Sequence, residues 1–200
     1  MKLIAATNNK DKIVEIKKEL EGSGIEILTL NDISFHNNIE EDGITLEENA
    51  IKKALTIFNF AGIQCFADDT GLFVDLLNGM PGVYSARFAG ESASYSDNVD
   101  KLLRELITAS NAPKWDAYFR TVIAYIDENR SLKLFEGITK GYIIRKPSGK
   151  GGFGYDPVFE VASLGKTYAE MSLDEKNSVS HRGKALRAFV SYLRGVAQSG

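Results

Sequence analysis

Gln64-Cys65-Phe66-Ala67-Asp68-Asp69-Thr70-Gly71-Leu72 is the stretch on which the reading of this chain turns. Gln64 to Ala67 has the make-up of a short buried strand, and it runs straight into two adjacent carboxylates. Like charges that close repel, and burying either one is costly unless a cation or a proton compensates. A divalent metal is the usual compensation, and hard oxygen ligands suit Mg²⁺ or Mn²⁺. The pattern therefore predicts a strand ending at the acidic pair, with a separate strand over Leu72 to Leu76.

Upstream of this stretch, Lys2 to Ala6 reads as a buried strand. A helix follows Thr7-Asn8-Asn9, with Ile13, Ile16 and Leu20 on one face and Gly22 as its stop. Ile25 to Leu30 reads as another strand. Thr45-Leu46-Glu47-Glu48 is a capping box that opens a helix with an apolar stripe of Ile51, Ala54, Leu55 and Phe58. Downstream, Ser96-Asp97 is expected to cap a helix carrying Val99, Leu102, Leu103 and Leu106. Ala117 to Ile126 and Leu132 to Ile144 read as a long hairpin turning at Asp127 to Arg130. A glycine-rich loop from Pro147 leads to a short strand over Pro157 to Val161. A last helix over His181 to Arg194 buries Leu186, Phe189, Val190 and Leu193. β-α-β units mixed with a hairpin predict an α/β fold, with a mixed sheet and flanking helices rather than a purely doubly wound one. No internal repeat or low-complexity linker divides residues 1–200, so one domain, of one or two lobes, is expected.

Composition narrows the function. With 44% hydrophobic and 26% charged residues the chain fits a soluble globular protein. A net charge of −3 supplies no overall field toward nucleic acid or acidic membrane, so neither is expected as a partner. The lone Cys65 cannot form an intrachain disulfide and sits among apolar residues, as a core thiol would. No stretch is long and apolar enough for a membrane helix, and the first residues do not form a signal peptide. A cytoplasmic location is the expectation.

Four further segments carry chemistry or its alternatives. Thr7-Asn8-Asn9-Lys10-Asp11-Lys12 joins a strand to a helix start, where backbone N–H groups form an anion site; an ordinary N-cap with solvated lysines is the other reading. Gly149-Lys150-Gly151-Gly152-Phe153-Gly154 matches G-x-G-x-x-G in form, but Tyr155-Asp156-Pro157 opens no helix, so dinucleotide binding is rejected. Gly165-Lys166-Thr167 fails as a P-loop because Glu160 stands where its first glycine is required. Four glycines within residues 149–154 still let backbone approach a ligand closely, with Phe153 and Tyr155 as stacking faces. Ser180-His181-Arg182-Gly183 sets two donors at a helix start, suited to a carbonyl oxygen or a phosphate, or else to a simple cap. Glu41, in Glu40-Glu41-Asp42-Gly43, reaches a metal shared with Asp69 if the capped helix packs beside that strand. No G-x-S-x-G elbow is present, and one Cys with two His excludes structural zinc.

In order along nearly the whole chain, these pieces resemble the inosine triphosphate pyrophosphatase family, in its bacterial dITP/XTP pyrophosphatase branch. They are Thr7-x-Asn9-x-x-Lys12; Glu41-Asp42-Gly43 with Glu48-Asn49-Ala50; Ala67 to Leu72; and Pro81-Gly82-Val83-Tyr84-Ser85-Ala86-Arg87. Gly151 to Pro157, Glu175-Lys176 and Ser180 to Gly183 complete them. Thr70 stands where relatives often have Ser, and the hydroxyl is kept. The resemblance implies a two-lobed fold on a long mixed sheet with a central cleft, and a homodimer. It implies Mg²⁺-dependent hydrolysis of non-standard purine nucleoside triphosphates (ITP, dITP, XTP) to the monophosphate and pyrophosphate. By the same resemblance Asp69 is the proton acceptor and a metal ligand, and Glu41 a second acid at the metal. Thr7, Asn8, Asn9, Lys10, Asp11 and Lys12 would hold phosphates. Thr70, Phe153, Gly154, Tyr155, Asp156, Lys176, His181 and Arg182 would contact the nucleotide. Two competitors remain at this level: a pyrophosphatase for modified pyrimidine or methylated nucleotides, and a nucleic-acid module built on the glycine loop and aromatics.

Overall fold

The computed structural model describes residues 1–198, with side chains described through residue 195. Its strands are β1 (Lys2–Ala5), β2 (Glu26–Leu28), β3 (Cys65–Val74), β4 (Pro81–Gly82), β5 (Lys114–Ile126), β6 (Leu132–Ile144), β7 (Phe159–Val161) and β8 (Lys166–Thr167). Its helices are α1 (Lys10–Glu19), α2 (Leu46–Ala61), α3 (Tyr95–Ala109), α4 (Leu173–Val179) and α5 (His181–Gln198). The strands form one eight-stranded sheet in the order β2-β1-β3-β5-β6-β7-β8, with β4 paired to β3. β1 lies parallel to β2 and β3, whereas β4, β7 and β8 pair antiparallel. The sheet is thus mixed, as the alternation of β-α-β units and a hairpin predicts.

The chain divides into two compact units. One comprises Met1–Asp69, Thr121–Gly137 and the chain from Arg182 onward; the other comprises Thr70–Arg120 and Ile138–His181. In the first, Leu3, Ala5, Phe66, Ile123 and Tyr125 face Ile16 and Leu20 of α1 and Ala185, Leu186, Phe189 and Val190 of α5. In the second, Val99, Leu102, Leu103 and Leu106 of α3 pack with Leu72, Val74, Trp115, Phe119, Phe159 and Tyr168.

The largest departure from the sequence reading is β3. The strands expected over 64–67 and 72–76 are one strand, and Asp68 and Asp69 lie within it rather than at its mouth. Successive side chains of a strand point to opposite faces. The pleat therefore sends the two carboxylates apart, and each meets its own cations, so no chain break is needed. The cap of α3 is Ser94, not Ser96: Ser94 Oγ accepts from the Asp97 amide, and Asp97 accepts from the Ser94 amide. A capping box needs three-residue spacing, which only Ser94 has. The buried face of α2 is Leu46, Asn49, Ala50, Lys53, Ala54 and Ile57, turned away from the predicted stripe because two of its members are polar. β4, β8 and the short, box-capped α4 were not foreseen; each is shorter than a periodicity can register.

Candidate active site

In the first unit, Asp68 faces α1 and α5. Lys12 Nζ lies 3.0 Å from Asp68 Oδ2. Arg182 Nε donates to the same oxygen at 3.2 Å, and Arg182 Nη1 donates to Glu15. Glu15, Asp68 and Arg182 are all nearly inaccessible. Asp69 faces α2 instead. Lys53 Nζ lies 3.0 Å from Asp69 Oδ1 and 2.6 Å from Glu41 Oε1, so one ammonium bridges the two acids that the sequence assigned to a metal. Asn49 Nδ2 donates to Asp69 Oδ2 at 3.2 Å. The expectation that Glu41 and Asp69 meet is realised by α2 packing beside β3.

Burial and charge set the ionisation of this cluster. Burial pushes Asp68 up, but Lys12, Arg182 and Lys53 outweigh it, and its carboxyl is held well below the usual carboxylate range. Burial likewise pushes Glu41 up, yet Lys53 leaves it below its ordinary value. For Asp69 burial prevails over Lys53 and Lys12, so its pKa is raised. Adjacent residues thus differ: the Asp68 carboxyl is held low and the Asp69 carboxyl is raised. Burial lowers Lys12 despite the attraction of Asp68. For Lys53, Asp69 and Glu41 outweigh burial and raise it. Cys65 is buried with its thiol pushed up to about 12, as a core residue should be.

At the start of α1, Asn9 is the N-cap and its Oδ1 accepts from the Lys12 amide at 3.0 Å. Thr7 Oγ1 accepts from the Asn9 amide at 3.2 Å. These oxygens order the turn, and Asn8, Lys10 and Asp11 are exposed around it. The N-cap reading is realised at this turn, and capping fixes the first-turn amides in direction.

In the second unit, Lys176 Nζ lies 2.5 Å from Asp156 Oδ2 and 4.6 Å from the centre of the Phe153 ring. The Phe153 amide donates to the same carboxylate oxygen at 2.7 Å. The glycine loop approaches its own chain. A Cβ on Gly152, at φ +73°, would stand 2.0 Å from Asp156 Oδ2, and one on Gly149, at φ +85°, 2.3 Å from the Ala169 carbonyl carbon. Tyr155, expected as a stacking face, is a core residue whose hydroxyl donates to the Ser85 carbonyl at 2.9 Å. Its apolar ring is worth more buried than exposed. His181 is buried and stacks on Phe119 with ring centres 4.6 Å apart. The expected His181-Arg182 pair therefore engages two sets of partners: aromatic rings in one unit, carboxylates in the other. Thr70 and Gly154 are partly exposed.

Sequence reasoning missed Lys53 and Glu15, and it quoted Asn49 within a motif without giving it a role. Two polar residues four apart on the stripe shared with Ala50, Ala54 and Ile57 are the available signal for Lys53 and Asn49. Glu15 lies one turn from Lys12, beside the buried Ile16.

The Ham1 family model matches residues 3–192. A dITP/XTP pyrophosphatase of Flavobacterium psychrophilum is 48% identical over 194 residues, spanning 97% of this chain and 100% of the relative. One from Thermoanaerobacter sp. is 49% identical over 193 residues, 96% of each chain. Among solved structures, a HAM1 protein from Coxiella burnetii superposes with a TM-score of 0.87 at 37% identity, covering 98% of this chain and 99% of that one. The Staphylococcus aureus Ham1 protein gives 0.85 at 36% identity, with 98% and 99% covered. Sequence and fold agree along the full length of both partners in each comparison, and the chain belongs to the Ham1 family.

Proposed function

We propose that this protein hydrolyses non-standard purine nucleoside triphosphates, dITP, XTP and ITP, to the monophosphate and pyrophosphate. The observation that carries this reading is the convergence of Glu41 and Asp69 on one cation, with Lys12 held on Asp68 in the same unit. The relatives named dITP/XTP pyrophosphatase support the choice of substrate.

Hard-oxygen donors that already converge on a cation fit Mg²⁺, or Mn²⁺. Among the described residues no group of three or more His, Cys, Asp and Glu could hold a metal. Two carboxylates completed by substrate phosphates are the usual arrangement for Mg²⁺. Glu41 and Asp69 would hold the ion, which when bound would neutralise phosphate charge and acidify water. Asp69, with its raised pKa, accepts the proton as water oxygen bonds to the α-phosphorus and the bond to the bridging oxygen breaks. Pyrophosphate leaves as an anion, and Lys12 with the first-turn amides of α1 meets that charge. Thr7, Asn8, Asn9, Lys10 and Asp11 form the turn that presents them.

Base choice has a chemical form. Hypoxanthine and xanthine carry a 6-oxo acceptor where adenine carries a 6-amino donor. Donors on His181 and Arg182 favour the oxo base, and an amino group facing them leaves buried donors unpaired at about 1–3 kcal/mol each. Phe153, Gly154, Asp156 and Lys176 form the remaining nucleotide contacts with Thr70; Tyr155 supports that loop from the core. The two units act together as one catalytic domain of residues 1–200, in a cytoplasmic homodimer.

Incubation with ITP, XTP, dITP, GTP and ATP plus Mg²⁺, with pyrophosphate assayed apart from phosphate, tests the reaction. Pyrophosphate with IMP is expected from ITP; single phosphate with IDP would overturn it. Lys12→Ala should lower kcat/KM for ITP and ATP by the same factor, about 10-fold or more, since both carry the same phosphates. A factor that differs between the two would remove Lys12 from the phosphate site.

A further inference from the structure

We infer that Asn49 is a positioning residue that clamps the Glu41 loop to Asp69 and so sets the spacing of the two metal-binding carboxylates. This rests on the reading of Glu41 and Asp69 given above. Asn49 is fully buried in the first turn of α2, where a polar side chain needs partners for both ends of its amide. Both ends are used. Nδ2 donates to Asp69 Oδ2 at 3.2 Å, and Oδ1 accepts from the Gly43 amide at 2.8 Å. One planar group thus joins β3 to the segment two residues beyond Glu41.

Three features show that the join is built rather than incidental. Gly43 fits only without a side chain: a Cβ there would stand 2.7 Å from Asn49 Oδ1 and 2.8 Å from Glu48 Cβ. The neighbouring amide is fixed as well, since Ile44 N donates to Glu48 Oε2 at 2.7 Å. Finally, the amide holds Asp69 by Oδ2, which leaves Oδ1 toward Lys53 and hence toward Glu41. A carboxylate free to rotate would present either oxygen. With Asn49 in place, one oxygen is committed to the clamp and the other faces the cation position. No other residue type of this size donates and accepts in one plane, so Leu, Asp or Ala at this position loses one bond or both.

The clamp acts through other residues, so its signature is metal affinity at an intact fold. Asn49→Ala and Gly43→Ala break it from opposite sides. Mn²⁺ binding is followed by electron paramagnetic resonance of the free ion, with an α,β-methylene analogue of ITP present so that no turnover occurs. The Gly43 amide is followed by hydrogen exchange. Both variants should weaken Mn²⁺ binding about 10-fold and lose Gly43 protection. They should raise the Mg²⁺ concentration for half-maximal pyrophosphate release by a similar factor, with most of kcat regained at saturating metal. Unchanged Mn²⁺ affinity in a folded variant that has lost Gly43 protection would overturn the inference. A fall in kcat that no metal concentration restores would also overturn it, pointing to a merely structural role. If the wild-type protein binds Mn²⁺ with the analogue but releases no pyrophosphate from ITP, the pyrophosphatase reading fails and the Mn²⁺ comparison still decides the clamp.

Discussion

Asp69→Asn should abolish most turnover, by about 10²-fold or more, in a protein that still folds. Asn keeps the volume, and its carbonyl oxygen can still accept from one of Asn49 and Lys53 while its amide nitrogen faces the other. It loses the charge that shares the cation with Glu41 and the lone pair that takes a proton. Loss of both roles in one substitution is the reason for so large a factor. The check is single-turnover kcat with ITP beside a melting curve. Turnover near that of the parent in a folded variant would remove Asp69 from the chemistry.

Arg182→Ala is expected to act twice. The guanidinium neutralises Asp68 and Glu15 in the interior, and its removal leaves two buried carboxylates with fewer cations. Breaking a buried pair in this way costs about 3–5 kcal/mol, which a denaturant titration will show. The second effect is on base choice. If Arg182 also donates to the 6-oxo edge, kcat/KM for ITP falls more than for ATP, and their ratio narrows by about 10-fold or more. Arg182→Lys keeps the charge without the planar fork, and it should recover stability better than selectivity. An equal slowing of ITP and ATP in either variant would make Arg182 a member of the charge network only, with the base reader elsewhere.

Much of this was legible before any coordinates. The caps of α1 and α2, the apolar face of α3 and the hairpin turn were readable in the residues themselves. β3 was misread for a physical reason. A rule that stops a strand at two acids knows nothing of compensation arriving from afar, and here it comes from Lys12, Lys53 and Arg182. The same blindness hid Lys53 and the role of Asn49. Ranking α2 positions by apolarity turns the helix away from the face that carries the site, because that face is where polar residues are buried by design. The glycine loop closes on the Ala169 backbone, a partner that no local window contains, and on the Asp156 carboxylate four residues along.

The pleat of β3 makes neighbours in the chain strangers in the fold: Asp68 answers to α1 and α5, Asp69 to α2. Strand alternation has no half-steps, so inserting or deleting one residue before this pair exchanges the faces of everything after it. A deletion would bring Asp69 to Lys12 and Arg182 and Thr70 to Lys53, and an insertion would bring Asp68 to Lys53 with no carboxylate left for Lys12 and Arg182. Either shift leaves one set of cations without its carboxylate. Length changes among the exposed His36, Asn37 and Asn38, ahead of Glu41 and outside any strand or helix, carry no such penalty. Descendants of this sequence should therefore vary freely in length there and be held to an invariant reading frame through Cys65–Val74.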